Sequence, residues 1–204
     1  MAHESILIVF VRNPIAGRTK TRLIPVLGAE QAAQLQNEMT LHTLAVARNF
    51  CRAGHWQTEV RFTEGTAADL TSRYGPDLRY ADQGPGDLGQ RLKTAFAEAF
   101  ANGAATVIAI GSDCPAIAER HLQSAAHALQ QHDLALGPAA DGGYYLIGLR
   151  RPAPELFAQI AWSTAQVLNQ TVEVATRLSL SIHLLETLAD VDEPSDLSRP
   201  APKT

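Results

Sequence analysis

The sequence predicts an α/β protein, a three-layer α/β/α sandwich around a mostly parallel mixed sheet. The apolar runs ILIVFV (6–11) and ATVIAI (105–110) are continuous, as expected of strands covered on both faces. Longer segments between the strands carry an apolar stripe of helical period. Strands that alternate with helices favour a parallel, doubly wound sheet.

The remaining elements follow from periodicity and from turn residues. The corner AADGG (139–143) between two apolar runs indicates at least one antiparallel strand, and Ser163 to Gln166 has the S-x-x-Q form of a capping box for a helix ending near 178. DVDEPSDL (190–197) is expected to end in a helical turn. Strands are predicted at 58–62, 78–81, 134–137, 144–149 and 181–186, and helices at 29–50, 66–73, 88–102 and 119–131.

Composition narrows the class of protein. The 204 residues are 46% hydrophobic and 19% charged, which predicts one globular domain over 1–197 and a flexible Pro-rich tail over 198–204. A formal net charge of −4 argues against a general nucleic-acid binder. Two cysteines give no disulfide framework, and no apolar run reaches membrane-spanning length. We therefore expect a cytoplasmic protein without a nucleic-acid or membrane partner; its oligomeric state stays open.

Ligands of open α/β sheets bind beyond the carboxyl ends of the strands, which directs attention to the loop after 6–11. RNPIAGRTKTRL (12–23) places Arg18, Lys20 and Arg22 at alternate positions after Gly17 and contains no acid. Phosphate groups would relieve the repulsion among these cations, since Arg grips oxygens bidentately and Lys acts as a point charge. The alternative is a solvated basic loop. The spacing does not match a P-loop.

The loop after the second buried strand, GSDCP (111–115), offers a carboxylate. Asp113 lies between Gly111 and Pro115, where it is suited to bind Mg²⁺, although a turn-forming role is an alternative. Asp190 and Asp192 follow the last predicted strand and alternate about Val191. They are a source of a second metal ligand, unless they form only an exposed acidic turn.

Three further patterns are weaker. GPGDLG (84–89) matches G-x-G-x-x-G, but a weak strand precedes it and it lies mid-chain, which disfavours dinucleotide binding. DVD (190–192) matches a glycosyltransferase D-x-D pattern, yet at a position those enzymes do not use. Cys114 has no evident base, so a buried structural thiol is favoured over a nucleophile.

The segments NPIAGRTKTRL, GDLGQRL, IGSDCP, ADGGYYLIGL, WST and DVDEPSDL together resemble a bacterial family of GT-A-type transferases. Members of that family are named glycosyltransferases associated with radical-SAM or selenocysteine-domain proteins. The family is similar to the guanylyltransferases that act on 2-phospholactate and on the molybdenum cofactor. The resemblance spans residues 5–197 and implies the Rossmann-like nucleotide-diphospho-sugar transferase (GT-A) fold.

The resemblance also implies roles for individual residues. Asp113 and Asp192 would bind Mg²⁺ or Mn²⁺, and Lys20 and Arg22 would act on the transferred phosphate. Related chains often carry two adjacent acids where this one has Ala140 and Asp141. The implied phosphate and nucleotide contacts are Arg12, Gly17, Arg18, Lys20, Arg22, Asp87, Gly89 and Arg91, and the implied acceptor contacts are Asp141, Gly142 and Gly143.

The sequence therefore predicts a Mg²⁺-dependent nucleotidyltransferase that joins an NTP to a small phosphate- or acid-bearing acceptor and releases pyrophosphate. The cationic loop favours this hypothesis, because departing pyrophosphate needs more positive charge than a departing nucleoside diphosphate. A glycosyltransferase that uses a nucleotide-sugar is the second hypothesis. A catalytically idle nucleotide-binding module is the third. The base and the acceptor stay open.

Overall fold

A computed structural model describes residues 4–198 of the chain. The strands are β1 (Ser5–Arg12), β2 (Trp56–Thr63), β3 (Arg79–Asp82), β4 (Thr106–Gly111), β5 (Leu134–Pro138), β6 (Tyr144–Leu149) and β7 (Ile182–Leu184). The helices are α1 (Ile24–Leu27), α2 (Ala29–Ala53), α3 (Ala67–Tyr74), α4 (Leu88–Ala101), α5 (Glu119–Ala128) and α6 (Val167–Arg177). Short 3-10 turns lie at Thr21–Leu23, Pro154–Phe157 and Pro194–Ser198. Residues 199–204 of the predicted tail lie outside the described residues.

The seven strands form one sheet in the order β3-β2-β1-β4-β6-β5-β7. β6 pairs antiparallel with both of its neighbours, and every other pairing is parallel. The predicted mixed sheet and its antiparallel strand after the AADGG corner are thus confirmed. The chain leaves β1 on one side for β2 and β3 and returns on the other side as β4. A switch point of this kind opens a crevice at the carboxyl ends of β1 and β4.

Two hydrophobic clusters cover the two faces of the sheet. Leu7, Val9 and Val11 of β1 pack with residues of α2, α3 and α5, whereas Ile8 packs with residues of α4 and α6. Alternation along β1 therefore sends apolar side chains to both faces, which explains why ILIVFV reads as a continuous apolar run. The three-layer α/β/α arrangement is confirmed.

One predicted helix start is wrong. Helix α6 begins at Val167, with Gln166 at the capping position and no side-chain cap. Ser163 instead has a left-handed backbone (φ 64°), so it forms a turn before the helix. The N-terminal Thr66 of α3, by contrast, makes a reciprocal capping box with Asp69. Local side-chain bonds compete with tertiary packing at such positions, and packing decides the start of α6.

Candidate functional site

A cavity of about 940 Å³ opens at the carboxyl ends of the strands, over the switch point between β1 and β4. Phe10, Val11 and Arg12 of β1 line it, together with Gly111 of β4. The two loops that the sequence singled out thus border one cavity. The predicted site residues that line the cavity are Arg12, Arg22, Arg91, Asp113, Asp141, Gly143 and Asp192.

The basic loop after β1 is held from within by Thr19. The Thr19 hydroxyl accepts a hydrogen bond from the Ile15 N–H at 3.0 Å and donates to the Asn13 carbonyl at 3.1 Å. Thr19 is fully buried. Gly17 has a φ of 80°, and a side chain there would meet no neighbour, so the glycine serves the turn and not a close contact. The loop is therefore a fixed structure.

Lys20 does not extend into solvent, which argues against the alternative of a solvated loop for this residue. Its side chain is 4% exposed, and its Nζ lies 3.0 Å from Asp113 Oδ1 and 3.4 Å from Asp192 Oδ1. The ammonium also donates to the Val191 carbonyl at 2.7 Å. A left-handed backbone at Lys20 (φ 49°) turns the chain into this position. A positive φ is uncommon for lysine. Residues with such strained backbones cluster at functional sites.

The other cations of the loop differ in their surroundings. Arg22 is exposed, donates to Asp192 at 2.8 Å and lies 3.9 Å from Glu193. The loop itself contains no acid, but the C-terminal segment supplies the compensating charges. Part of the repulsion among the cations is therefore relieved within the protein, and the predicted phosphate contacts stay a prediction. Arg18 is exposed and makes no ion pair with any residue in 4–198; neither it nor Gly17 lines the cavity.

The C-terminal segment 188–192 reaches the site by pairing along the ends of other strands. The Leu188 N–H donates to the Pro138 carbonyl at 3.0 Å, and the Val191 N–H donates to the Asp113 carbonyl at 3.0 Å. The Cys114 thiol donates to the Ala189 carbonyl at 3.2 Å. These bonds bring Asp192 beside Asp113, two residues that are far apart in the sequence.

Three aspartates lie along this junction, since Asp190 lines the cavity with Asp113 and Asp192. Burial raises the pKa of Asp190, and the nearby Asp141 carboxylate raises it further. Within residues 4–198, no group of three or more His, Cys, Asp and Glu side chains is arranged to hold a metal ion unaided. Two carboxylates nevertheless suit Mg²⁺, which binds through one or two carboxylates together with water and phosphate oxygens.

The acceptor turn predicted at 141–143 is rigid. Asp141 Oδ1 accepts a hydrogen bond from the Gly143 N–H at 2.8 Å. Gly142 has a φ of 89°, and a Cβ there would overlap the backbone of Ala165. Gly142 thus permits close packing behind the cavity wall, while Asp141 and Gly143 lie in the wall itself.

The GDLGQRL segment forms the first turn of α4. Asp87 caps the helix by accepting from the Gln90 N–H at 2.9 Å. Gly89 is buried against Trp162, and a Cβ on it would overlap the indole ring. Asp87 and Gly89 themselves do not line the cavity. They position Arg91 and Trp162, and both of those residues line it.

Several cavity residues receive no role from the sequence, among them Glu64 after β2 and Gln83 after β3. Glu64 has a left-handed backbone (φ 63°) and pairs with Arg12 at 3.4 Å, yet its Oε2 is buried without a hydrogen-bond partner. Gln83 donates to the carbonyls of Val11 and Arg61. The only signal in the sequence was their position directly after predicted strands.

Arg91 lines the same cavity and contacts Gln83. Its Nη1 lies 3.5 Å from Gln83 Oε1, and its Nε is buried without a partner. Buried polar atoms are nearly always hydrogen-bonded, so Arg91 Nε and Glu64 Oε2 are two polar atoms of cavity residues whose partners residues 4–198 do not supply. Phe10 and Leu88 add apolar surface beside them.

Cys114 borders the cavity but is suited to a structural role. Burial raises the pKa of its thiol to about 11, and its Sγ is bonded to a backbone carbonyl. Nucleophilic cysteines carry a lowered pKa. The structural alternative stated for Cys114 is therefore supported.

Residues 45–164 match the family model DUF2064, which is described as an uncharacterized protein conserved in bacteria. This range is more than half of the chain. The chain belongs to the DUF2064 family. A solved structure from Desulfovibrio desulfuricans G20, provisionally named a nucleotide-diphospho-sugar transferase, is 36% identical over 94% of this chain and 83% of its own, with a TM-score of 0.87.

More distant structures share the fold of this DUF2064 chain. CMP:2-keto-3-deoxy-manno-octonic acid synthetase complexed with CTP has a TM-score of 0.58 at 14% identity, with 95% of each chain covered. Rv0371C of Mycobacterium tuberculosis H37Rv, in complex with manganese, has a TM-score of 0.57 at 19% identity and covers 96% of this chain and 97% of its own. The predicted GT-A, Rossmann-like fold is thus confirmed.

No curated protein matches the sequence. The family model names no activity, so the glycosyltransferase name and the likeness to the two guanylyltransferases stay predictions. None of the helices within residues 4–198 is long and apolar enough to cross a membrane.

Proposed function

We propose that this protein is a nucleotidyltransferase that joins an NTP to a small phosphate- or acid-bearing acceptor and releases pyrophosphate. One observation carries the proposal. In a single cavity at the switch point of the sheet, Arg12, Arg22 and Arg91 accompany the paired carboxylates of Asp113 and Asp192. Cations suit the phosphates of a nucleotide, and carboxylates suit the divalent cation that accompanies them.

The phosphates are assigned to the basic loop. Arg22 reaches the cavity from the 3-10 turn that ends the loop, and Arg12 reaches it from the end of β1. Arg18 and Gly17 lie outside the cavity wall, so they act on a triphosphate only where it extends beyond the cavity. Lys20 and Arg22 are the proposed catalytic residues, because positive charge at the transferred phosphate stabilises the transition state. Arg22 lines the cavity, whereas Lys20 is enclosed beside Asp113 and Asp192 and would reach a phosphate only by leaving these carboxylates.

The base is assigned to the end of the cavity above β2 and β3. There Glu64 provides a carboxylate acceptor and Arg91 provides guanidinium donors in the cavity wall, which matches a planar heterocycle with both kinds of group on its edges. Asp87 and Gly89 serve this end indirectly, by fixing the first turn of α4.

The acceptor is assigned to the opposite end, at Asp141 and Gly143, with Gly142 packed behind them against Ala165. The Asp141 carboxylate is held by the Gly143 N–H and is placed to accept a proton or a hydrogen bond from an acceptor hydroxyl. No covalent enzyme intermediate is needed, and the bonded Cys114 thiol is not available for one. Orientation and charge neutralisation then supply the rate enhancement.

The residues present fit a divalent cation. Asp113 and Asp192 share one ammonium, so both carboxylates already face a common cation. When bound there, Mg²⁺ or Mn²⁺ would neutralise phosphate charge and orient the phosphate groups. The same carboxylates would hold the cation through oxygen, the ligand type that it prefers.

Glycosyl transfer from a nucleotide-sugar is the second candidate. The provisional name of the 36% identical relative from Desulfovibrio desulfuricans favours it. The two reactions differ in their leaving group. Glycosyl transfer releases a nucleoside diphosphate from the sugar, whereas nucleotidyl transfer releases pyrophosphate from the NTP. An idle nucleotide-binding module would bind the same ligands without turnover.

A ligand panel distinguishes the candidates. Thermal unfolding is measured with each NTP and with nucleotide-sugars, with and without Mg²⁺, and pyrophosphate release is then measured with candidate acceptors. A ligand at 100 times its Kd should stabilise the fold by about 2.7 kcal/mol. The proposal requires stabilisation by an NTP with Mg²⁺ and pyrophosphate release. A response to nucleotide-sugars alone would favour glycosyl transfer, and binding without turnover would favour the idle module.

A further inference from the structure

The position of Lys20 bears on how a divalent cation enters the site. The ammonium is enclosed, with 4% of the side chain exposed, and it contacts Asp113, Asp192 and the Val191 carbonyl. These two carboxylates are the ones that the proposed function assigns to the metal. An ammonium ion and a divalent cation bind the same carboxylate oxygens. If both were bound to Asp113 and Asp192, the two positive charges would lie close together and repel each other.

Within residues 4–198, Lys20 forms ion pairs with Asp113 and Asp192 and with no other acid. The backbone on both sides is fixed, since Thr19 and Leu23 are fully buried. Loss of the three contacts would leave a buried positive charge unpaired, which is costly. A metal ion alone offers the displaced ammonium no anion, whereas a metal–nucleotide complex brings phosphate oxygens with it.

We infer that Lys20 occupies the divalent-cation position in the free protein. The metal then binds Asp113 and Asp192 only together with a nucleotide, whose phosphate replaces the two carboxylates as the ion-pair partner of Lys20. The inference rests on the proposed function. It assigns Lys20 two sets of partners, carboxylates in the free protein and phosphate in the complex. It also explains why the described residues offer no complete metal cage of their own.

The test measures Mn²⁺ binding without nucleotide, by the paramagnetic resonance signal of free Mn²⁺. Wild-type protein should bind Mn²⁺ weakly. Lys20→Met removes the charge at nearly constant side-chain length and should increase the affinity about tenfold or more. Lys93→Met is the matched control, because Lys93 is exposed on α4 and outside the cavity wall, and it should leave the affinity unchanged.

Two additions keep the result interpretable. The double variant Lys20→Met, Asp113→Asn should lose the gained affinity, which shows that the ion sits at this site. Lys20→Gln keeps a donor for the Val191 carbonyl and should gain Mn²⁺ affinity in the same direction, so a folding defect in Lys20→Met does not end the test. Circular dichroism establishes which variants are folded.

The outcomes separate this inference from the proposed function. Equal Mn²⁺ affinity in wild type and both Lys20 variants, or tight binding by the wild type alone, would overturn the inference while leaving metal-dependent nucleotide binding intact. Failure of Mn²⁺ to promote NTP binding in the wild type would instead remove the metal assignment of the proposed function, and the inference with it.

Discussion

The backbone N–H of Val191 donates to the carbonyl of Asp113 across 3.0 Å, and so joins the loop after β4 to the far C-terminal segment. The bond fixes Asp192 beside Asp113, and the enclosed Lys20 ammonium completes the junction with contacts to all three residues. The proposed metal site is therefore built from three separate parts of the chain, and its stability is tied to that of the fold.

Lys20→Met should lower the free energy of unfolding by about 1–3 kcal/mol, because it leaves the Val191 carbonyl and two carboxylates without their cation. Arg18→Met, at an exposed residue of the same loop, should change it by less than about 0.5 kcal/mol. Urea unfolding of both variants checks this. If Lys20→Met were as stable as the wild type, the Lys20 contacts would contribute nothing to the stability of the fold.

Arg22→Ala should weaken triphosphate binding by about 1.5–3 kcal/mol, the range for a charged hydrogen bond. The loss should be smaller for a monophosphate and should shrink as salt rises. Stability should change little, since Arg22 is 65% exposed and its ion pairs are screened. Calorimetric Kd values for NTP and NMP at two ionic strengths test this, with Lys93→Ala as the control. Unchanged affinities would favour a solvated basic loop.

Glu64→Gln should weaken NTP and NMP binding by the same factor, because the lost contact is to the base and not to phosphate. The substitution preserves size but replaces a carboxylate oxygen by an NH₂ group, at a place where the Oε2 atom is buried and unpaired. The same calorimetric series serves for this variant. A loss confined to the triphosphate would place Glu64 near the phosphates and contradict the assignment of the base.

Gly89→Ala should have two opposing effects on stability, a gain in helix propensity and a steric overlap with Trp162. Helix propensity alone favours Ala over Gly by about 1 kcal/mol. The overlap of a Cβ with the Trp162 indole should outweigh this and destabilise the protein by a net 1–3 kcal/mol or so. Thermal unfolding and Trp fluorescence report the outcome. Gly111→Ala, where a Cβ meets nothing within 4 Å, is the control. A more stable Gly89→Ala would mean that the indole moves aside freely.

His121 should make stability depend on pH. Burial lowers its pKa below the ordinary 6.5, the neighbouring Arg120 adds to the effect, and Glu186 opposes it. Its Nδ1 accepts from the Ala118 N–H at 2.9 Å, so the neutral ring donates from Nε2 to Glu186. The unfolded chain therefore binds the proton more readily, and this contribution to stability is present above pH 6.5 and is lost as pH falls below it.

Unfolding free energies at pH 8 and pH 5.5 test this for wild type and His121→Gln. The wild type should lose more stability between the two values than the variant does. Equal losses in both proteins would show that other groups produce the dependence.

Much of the fold is predictable because its signals are local. The apolar run of β1 and the alternation of strands and helices indicated the layers, and the AADGG corner indicated the antiparallel strand β6. The start of α6 was missed because the packing of Ala165 against Gly142, which the local sequence does not show, outweighs the S-x-x-Q signal.

The candidate site was predictable only in part. Strand order places the loops after β1 and β4 together, so Arg22 and Asp113 could be expected at one cavity. The burial of Lys20 could not, since it depends on Asp113 and Asp192, two acids far later in the chain. Glu64 and Gln83 carry no motif, and only the assembled sheet brings them into one cavity with Arg91.

Asp113 and Asp192 are proposed to bind a divalent cation that carries an NTP into this cavity. Isothermal titration calorimetry decides this for NTPs with wild type and Asp113→Asn, each with and without Mg²⁺, and the exposed Glu173→Gln is the control. We predict that Mg²⁺ strengthens NTP binding to the wild type and to the control, and that Asp113→Asn stays folded but loses this dependence. NTP binding to Asp113→Asn with an unchanged dependence on Mg²⁺ would contradict the account.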